Sequence, residues 1–264
     1  MPAVAPVDPI RLACLLGPDT WWTRCEAVAQ TGSTNDDVLA RAEAGEPAGL
    51  ALFAAHQTRG HGRLDRSWTD VPGAGLAVSV LLRPGRPRSE WGWVPLLTGL
   101  AVAEALRKLG PARVGLKWPN DVLLDGAKVC GILAQAGTAA VVVGAGINVA
   151  LARDELPVPG ATSLRLAGLE VDLTHLAAGV LANLQRVLER WEAGADVRAD
   201  YRAACDTLGR RVRVRLRGDA VVEGTATDVD ADGGLVLRRD DGTERAFSAG
   251  DVVHLRRDGT DAHR

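Results

Sequence analysis

The texture of the chain changes once, near residue 210, and that change constrains the fold more than any single motif. Before it lie apolar runs such as residues 50–55, 76–82 and 139–149, which suit buried strands, and stretches whose apolar residues recur every three or four positions, which suit helices. After it the pattern alternates strictly: Val212-x-Val214-x-Leu216, then residues 221–227, 235–237 and 252–255, separated by Gly218-Asp219, Asp232-Gly233-Gly234 and Asp241-Gly242. The first texture predicts a mixed β-sheet flanked by helices, and the second a small β-barrel. The chain is therefore expected to be α+β. Its larger domain covers residues 1–208 and a small C-terminal domain residues 209–264, with a frayed polar tail.

Within the larger part, Ser33 or Thr34 is placed to cap a helix with Asp36 and Asp37 in its first turn, Val38, Leu39 and Ala42 on its apolar face, and Gly45 at its end. Residues 57–67 are polar and rich in Gly and Arg, which predicts a surface loop between two strands. Ser89 is expected to cap a long helix reaching Leu109, and residues 114–117 a strand that Trp118-Pro119-Asn120 halts. Residues 122–124 and 129–133 flank Asp125-Gly126, a hairpin signal. Residues 172–191 have helical periodicity, with Leu173, Leu176, Val180, Leu184, Val187 and Leu188 on one side, and Tyr201 falls in a shorter helix beyond Gly194.

Charge and cysteine usage narrow the setting. A formal net charge of −2 gives no general pull toward nucleic acid or anionic membrane, so any polyanion site has to be local. No apolar run approaches the length of a membrane span, and residues 1–8 lack the basic segment and apolar run of a secretory signal, so a soluble, cytoplasmic protein is expected. Cys14, Cys25, Cys130 and Cys205 are scattered without a C-x-x-C pair, which favours reduced thiols over a zinc site or a disulfide framework. Arginine dominates the basic residues. The only lysines are Lys108, Lys117 and Lys128.

Two stretches carry chemistry. Gly60-His61-Gly62-Arg63-Leu64-Asp65-Arg66 combines backbone amides that can approach an anion with guanidinium forks suited to phosphate, although alone it reads more readily as a solvated basic turn. Lys117-Trp118-Pro119-Asn120-Asp121 joins a cation, a ring, a rigid turn and an amide to a carboxylate, and Lys128 follows across the hairpin. Taken singly, Trp118 reads as core and Lys117 with Asp121 as a surface pair. A G-x-x-x-x-G-K-S/T loop is absent, so a Walker-type mechanism has no motif.

In order along the chain stand Gly32-Ser33-Thr34-Asn35, His56-Gln57-Thr58 with the loop after it, Lys117-Trp118-Pro119-Asn120-Asp121, Lys128-x-x-Gly131-Ile132-Leu133 and Gly144-x-Gly146-Ile147-Asn148. This ordered set closely resembles the biotin–protein ligases, strongly over residues 30–164. Residues 211–256 resemble that family's small SH3-like domain in size and strand pattern. The resemblance implies a mixed sheet related to class II aminoacyl-tRNA synthetase cores with a C-terminal SH3-like β-barrel. It implies a carbon–nitrogen ligase that forms biotinyl-5′-AMP from biotin and ATP with Mg²⁺. The biotin then passes to one lysine of a biotin carboxyl-carrier domain of an acyl-CoA or pyruvate carboxylase.

Carried over by position, the biotin ligands are Ser33, Thr34, Asn35 and Gln57, with Gly60, His61, Gly62 and Arg63 from the loop and Lys128 and Gly131 beyond it. The ATP and adenylate side takes Arg63, Arg66, Trp68, Asn120, Lys128 and Asn148, with Trp68 either stacked on adenine or packed in the core. Lys128 is the expected catalytic cation, bridging two anions as biotin carboxylate approaches the α-phosphate, with Arg63 and Asp121 as its catalytic companions. Asp121 serves either Mg²⁺ or the incoming lysine amine.

The loop departs from the family's G-R-G-R-x-G-R: His61 replaces its first Arg and Asp65 its later Gly, which bears on its attraction for phosphate. Only about thirty residues precede Ser33, too few for the winged-helix domain of some members, so neither DNA binding nor a stable dimer is expected, and a monomer or weak homodimer is. A lipoate–protein ligase shares the fold and the adenylate logic, but Gln57 and the loop favour biotin. A biotin-binding protein without adenylation is disfavoured by Lys128, Asp121 and Asn148.

Overall fold

The computed structural model describes residues 6–63, 66–68, 71–216 and 220–255. The expected tail, and Asp65 of the loop, lie outside them. Seven strands, β1 (Arg24–Val28), β2 (Leu50–Ala54), β3 (Gly75–Leu82), β4 (Val114–Lys117), β5 (Asp121–Leu124), β6 (Ala127–Ala136) and β7 (Val141–Asn148), form one sheet in the order β1-β2-β3-β7-β6-β5-β4. Only β1 and β2 run parallel; the other neighbours are antiparallel. Asp125 and Gly126 both have positive φ, as the predicted two-residue hairpin between β5 and β6 requires.

The apolar runs are continuous because the sheet is buried on both faces. Ala51 and Phe53 of β2 join the main core with α3 (Trp93–Arg107) and α4 (Leu173–Glu192), while Leu50 and Leu52 join a smaller cluster with Val38 of α2 (Thr34–Glu43), Leu81 and Val142. The single helix α2 packs against β2, β3 and β7. Toward β6 and β5 the same face is left to the site described below.

The sequence reading missed three elements. Helix α1 (Pro9–Leu16) is capped by Asp8, whose carboxylate accepts from the amides of Ile10 and Arg11, and Pro9 takes its first position. Strand β1 is an edge strand carrying Arg24 and Glu26, and β11 (Glu244–Phe247) is mostly exposed, so neither shows an apolar signature. Ser89 does not cap the long helix. A 3-10 turn covers Arg88–Gly92 and α3 starts at Trp93. The chain bends there to admit residues 231–233: the Trp93 indole donates to the Ala231 carbonyl at 2.7 Å, and a Cβ on Gly92 would sit 2.5 Å from the Asp232 carbonyl oxygen.

Beyond α5 (Arg198–Ala204), strands β8 (Arg211–Arg215), β9 (Val221–Val229), β10 (Leu235–Arg238), β11 and β12 (Asp251–His254) form an antiparallel sheet in the order β11-β10-β9-β8-β12. Among the described residues no pairing joins β11 to β12, so the predicted barrel is an open, SH3-like sheet. Its apolar face, including Val214, Ala226, Leu235 and Phe247, merges with the main core. Trp118 pins the two parts together. Its indole donates to the Gly233 carbonyl and its amide to Thr207 Oγ1, each at 3.0 Å, and Thr207 Oγ1 lies 3.1 Å from Nε2 of the buried His254.

Candidate functional site

The floor of the site is made by missing side chains. Alternate residues of β7 share a face: Val142 lies in the cluster under α2, and the next two such positions are Gly144 and Gly146. A Cβ on Gly144 would overlap the Asn35 carboxamide; on Gly146 or Gly131 it would come within 2.5 Å or 2.8 Å of the Trp68 indole. Above these glycines opens a cavity of about 650 Å³, between the sheet, the loop after β2, residues 157–160 and the small domain.

Its deep end is polar and buried. Ser33 stands at the N-cap of α2 but makes no side-chain capping bond; Gln57 Oε1 instead accepts the Thr34 amide at 2.9 Å and lies 3.0 Å from Thr34 Oγ1. Thr34 Oγ1 meets Ser79 Oγ at 2.6 Å, and Ser79 Oγ lies 2.6 Å from Asn35 Oδ1. Asn35 spends both amide hydrogens on protein, giving one to Gln135 Oε1 at 2.8 Å and one to the Leu133 carbonyl at 3.2 Å. Asn35 therefore holds Ser79 and Thr34 in place, a role its motif does not reveal.

The loop closes one side. Gly62 N–H donates to the Arg66 carbonyl at 2.6 Å and Trp68 N–H to the Gly60 carbonyl at 2.8 Å, so its ends are paired. His61 Nε2 lies 2.9 Å from Asp36 Oδ2 at the solvent edge. Arg63 reaches the Gly250 carbonyl at 3.2 Å and Asn120 Oδ1 at 3.5 Å. Burial lowers the pKa of its guanidinium and nearby Asp121 raises it. Arg66 forms an ion pair with Asp251 of β12, so both arginines hold the small domain to the loop.

Opposite the loop, Lys128 Nζ lies 2.6 Å from Asp121 Oδ1 and 5.9 Å from the Trp68 ring centroid. That carboxylate oxygen is fully buried and makes no aligned hydrogen bond, so the contact is an ion pair. The Lys128 backbone pairs with residues 160 and 162, which draws residues 157–160 into the wall. Asn120 Nδ2 donates to the Ile132 carbonyl at 2.9 Å, tying the Lys117-Trp118-Pro119-Asn120-Asp121 turn to β6. Lys117 lines the same wall; burial lowers its pKa, Asp121 raises it, and Lys128 and Arg66 lower it further. Among the described residues no group of three or more His, Cys, Asp or Glu is placed to hold a metal.

Fifteen different residues were expected to form the site, and the structure brings thirteen of them to one cavity: Ser33, Thr34, Asn35, Gln57, His61, Gly62, Arg63, Arg66, Trp68, Asn120, Asp121, Lys128 and, in the floor, Gly131. Gly60 and Asn148 stand outside its wall. Gly60 packs against the Trp68 carbonyl. Asn148 is 2 % exposed and donates to the Thr162 carbonyl at 3.0 Å. The motifs did not point to Ser79, which sits inside an apolar strand run, to Gln135, or to Arg215 and Asp251 of the small domain. Lys117 was legible as a cation in a motif and as one of three lysines.

A mixed sheet with a glycine floor, a Gly/Arg loop and a lysine–aspartate pair defines a biotin/lipoate ligase type of site. The Biotin/lipoate A/B protein ligase family profile matches residues 28–149, and the Biotin protein ligase C terminal domain profile residues 207–255. The chain is 44 % identical to the biotin–[acetyl-CoA-carboxylase] ligase of Mycobacterium tuberculosis (strain ATCC 25618 / H37Rv), over 92 % of this chain and 93 % of that one. It is 34 % identical to the bifunctional ligase/repressor BirA of Escherichia coli (strain K12), over 83 % of this chain and 70 % of that one. The solved biotin protein ligase from Aquifex aeolicus in complex with biotin and ATP superimposes with a TM-score of 0.74 at 26 % identity, covering 87 % of this chain and 97 % of that one. The chain belongs to the biotin–protein ligase family.

Proposed function

We propose that this chain activates biotin with ATP as biotinyl-5′-AMP and transfers the biotinyl group to one lysine of a biotin carboxyl-carrier domain. The observation that carries this is the pairing, in one cavity, of a buried hydrogen-bonding end with a cationic end. Gln57, Thr34 and Ser79 present donors and acceptors suited to the ureido ring, while the dithiolane of lipoate would leave them unpaired. Lys128, Arg63 and Lys117 supply positive charge where a carboxylate and a phosphate have to approach one another.

In this reading Ser33, Thr34, Gln57, Gly131 and the loop residues Gly60, His61 and Gly62 hold biotin, with Asn35 acting through Ser79. Lys128 leaves Asp121 to bridge the biotin carboxylate and the α-phosphate, so charge that grows as the P–O bond forms meets an ammonium already in place. Trp68 faces the adenylate from the glycine floor, Arg63 and Arg66 close over its phosphate, and Asn120 and Asn148 support the wall. Asp121, one carboxylate beside phosphates, fits the way Mg²⁺ is commonly held, and the ion would screen phosphate charge. Released from Lys128, the same carboxylate orients the acceptor amine.

The acceptor belongs to an acyl-CoA or pyruvate carboxylase, the protein works in the cytoplasm as a monomer or weak homodimer, and residues 1–208 form the catalytic unit. Pyrophosphate release from ATP, with biotin and with lipoate in parallel, tests the reading. Release with biotin alone supports it, and release with lipoate alone refutes it.

A further inference from the structure

A second cavity, of about 380 Å³, opens at the other end of the main sheet, where β2 begins and β3 ends, and it shares no residue with the first. Its wall is mostly apolar: Trp21 and Trp22 from the segment before β1, Leu188 and Trp191 from α4, and Pro84 after β3. That wall is held in place. Gln185 of α4 accepts the Trp21 amide at 2.9 Å and donates to the Asp19 carbonyl at 3.2 Å. Gly49 has a φ of 95°, and a Cβ there would overlap the Trp21 carbonyl oxygen, so the segment is pressed against the start of β2.

Two polar groups in this wall lack a counterpart. Trp22, Trp91, Trp93 and Trp118 each donate the indole hydrogen to a backbone carbonyl, at 2.8, 3.0, 2.7 and 3.0 Å. Trp191, only 3 % exposed, donates its own to nothing among the described residues. Beside it, the half-buried Glu192 accepts the Gly85 amide at 3.1 Å through Oε1 and makes no ion pair among the described residues. Arg83 also lines the cavity, but its guanidinium goes to the carbonyls of Ala42, Glu46 and Ala139, on the α2 side of the sheet, and leaves that carboxylate uncompensated. A buried donor without an acceptor and a carboxylate without a cation both cost stability until a ligand supplies the missing partners.

We propose that this cavity docks a proline-rich segment of a partner protein that carries a basic residue. Such a segment is extended and makes no internal hydrogen bonds, so its carbonyls are free to accept from Trp191. Its proline rings pack on the tryptophans and Pro84, and its guanidinium or ammonium pairs with Glu192. A small organic cation would suit the rings and the carboxylate but would leave the Trp191 hydrogen without an acceptor. A fixed wall and a ligand already ordered in its bound form both lower the entropy lost on docking. Because the cavity lies at the far end of the sheet, a docked segment leaves the catalytic cavity open.

The test uses the full chain with a fluorescein-labelled PPRPP peptide, its PPEPP counterpart and tetramethylammonium chloride. PPRPP is expected to bind at least about tenfold more tightly than PPEPP at fixed ionic strength, and to shift the indole N–H resonance of Trp191 in the isotopically labelled protein. Glu192→Gln should lose most of the preference for PPRPP over PPEPP. Trp21→Ala, at a position 38 % exposed, should weaken PPRPP about fivefold. Equal affinity for the two peptides, no saturable binding of PPRPP up to about 1 mM, a Trp191 resonance that PPRPP does not move, or unchanged PPRPP affinity in Glu192→Gln would overturn the proposal. Displacement of PPRPP by an equal concentration of tetramethylammonium would overturn it in favour of a simple cation site.

Discussion

Replacing Ser79 by alanine tests the deep end of the cavity by a count of hydrogens. Gln57 Oε1, Thr34 Oγ1, Ser79 Oγ and Asn35 Oδ1 make three successive contacts of 3.0, 2.6 and 2.6 Å. Both ends accept only: Gln57 Oε1 already takes the Thr34 amide, and Asn35 turns its nitrogen toward Gln135 and Leu133. Two hydroxyl hydrogens therefore serve three contacts, and the two shorter ones claim them. Ser79→Ala frees the Thr34 hydroxyl to donate to Gln57 but leaves Asn35 Oδ1 without a donor in a residue only 4 % exposed. An unsatisfied buried acceptor costs about 1 to 3 kcal/mol, and the recovered Thr34 bond returns part of that. The net loss should be about 1 to 2 kcal/mol, roughly 3 to 6 °C in Tm for a chain of this size. Biotin affinity by calorimetry should fall about five- to tenfold, because Thr34 turns its hydrogen away from Ser79 and the ligand meets a different donor pattern. Asn35→Asp should cost more, about 3 to 5 kcal/mol, since a buried carboxylate would face the oxygens of Leu133 and Gln135. Unchanged Tm and biotin affinity in Ser79→Ala, or a smaller loss in Asn35→Asp than in Ser79→Ala, would refute the reasoning.

Lys128→Ala should fold normally and form biotinyl-AMP at least about a hundredfold more slowly in single turnover, the usual loss for one preorganised cation or donor. Near-normal formation would remove Lys128 from the reaction. Trp118→Phe keeps an aromatic side chain but loses part of a buried ring and the bond to the Gly233 carbonyl, leaving a buried acceptor unpaired; at least about 1 to 2 kcal/mol should be lost in urea unfolding, and an unchanged midpoint would show that neither holds the small domain. Asp172 caps α4, and the His175 amide first, then Arg11, hold its carboxyl down from 3.8 to about 2. A lowered pKa adds stability above the unfolded value that is lost as pH falls toward the folded one. The Tm advantage over Asp172→Asn should therefore shrink between about pH 5 and pH 2, and a constant difference would exclude the charge as its source.

What could be read in advance follows from the kind of signal each residue carries. The strands of the main sheet announce themselves because both faces are covered, so residues 76–82 read as one apolar run. That burial also hides Ser79: a single serine within such a run looks like tolerated polarity until Asn35 and Thr34 are seen to close on it. Strands β1 and β11 escape for the opposite reason, since an edge strand with one wet side keeps charges where a buried strand would show alternation. The motif residues reach one cavity because the turns that carry them are local. Asp125-Gly126 sets the hairpin that returns Lys128 to Asp121, and register then fixes Lys117 opposite Asp121.

Contacts between the two sheets have no such local signal. Arg66 with Asp251 and Arg63 with the Gly250 carbonyl join residues nearly two hundred positions apart. Neither member of such a pair differs in sequence from an ordinary surface charge. Their geometry depends on Trp118, whose indole enters the turn at Gly233 and whose amide bonds Thr207. Trp118 therefore serves the site indirectly. By fixing the small domain against the turn that carries Asn120 and Asp121, it sets how far β12 stands from the loop, and so whether Arg63 and Arg66 can reach Gly250 and Asp251. A chain that kept every motif residue but lost this anchor would retain the deep end of its cavity and lose the closure of its cationic end.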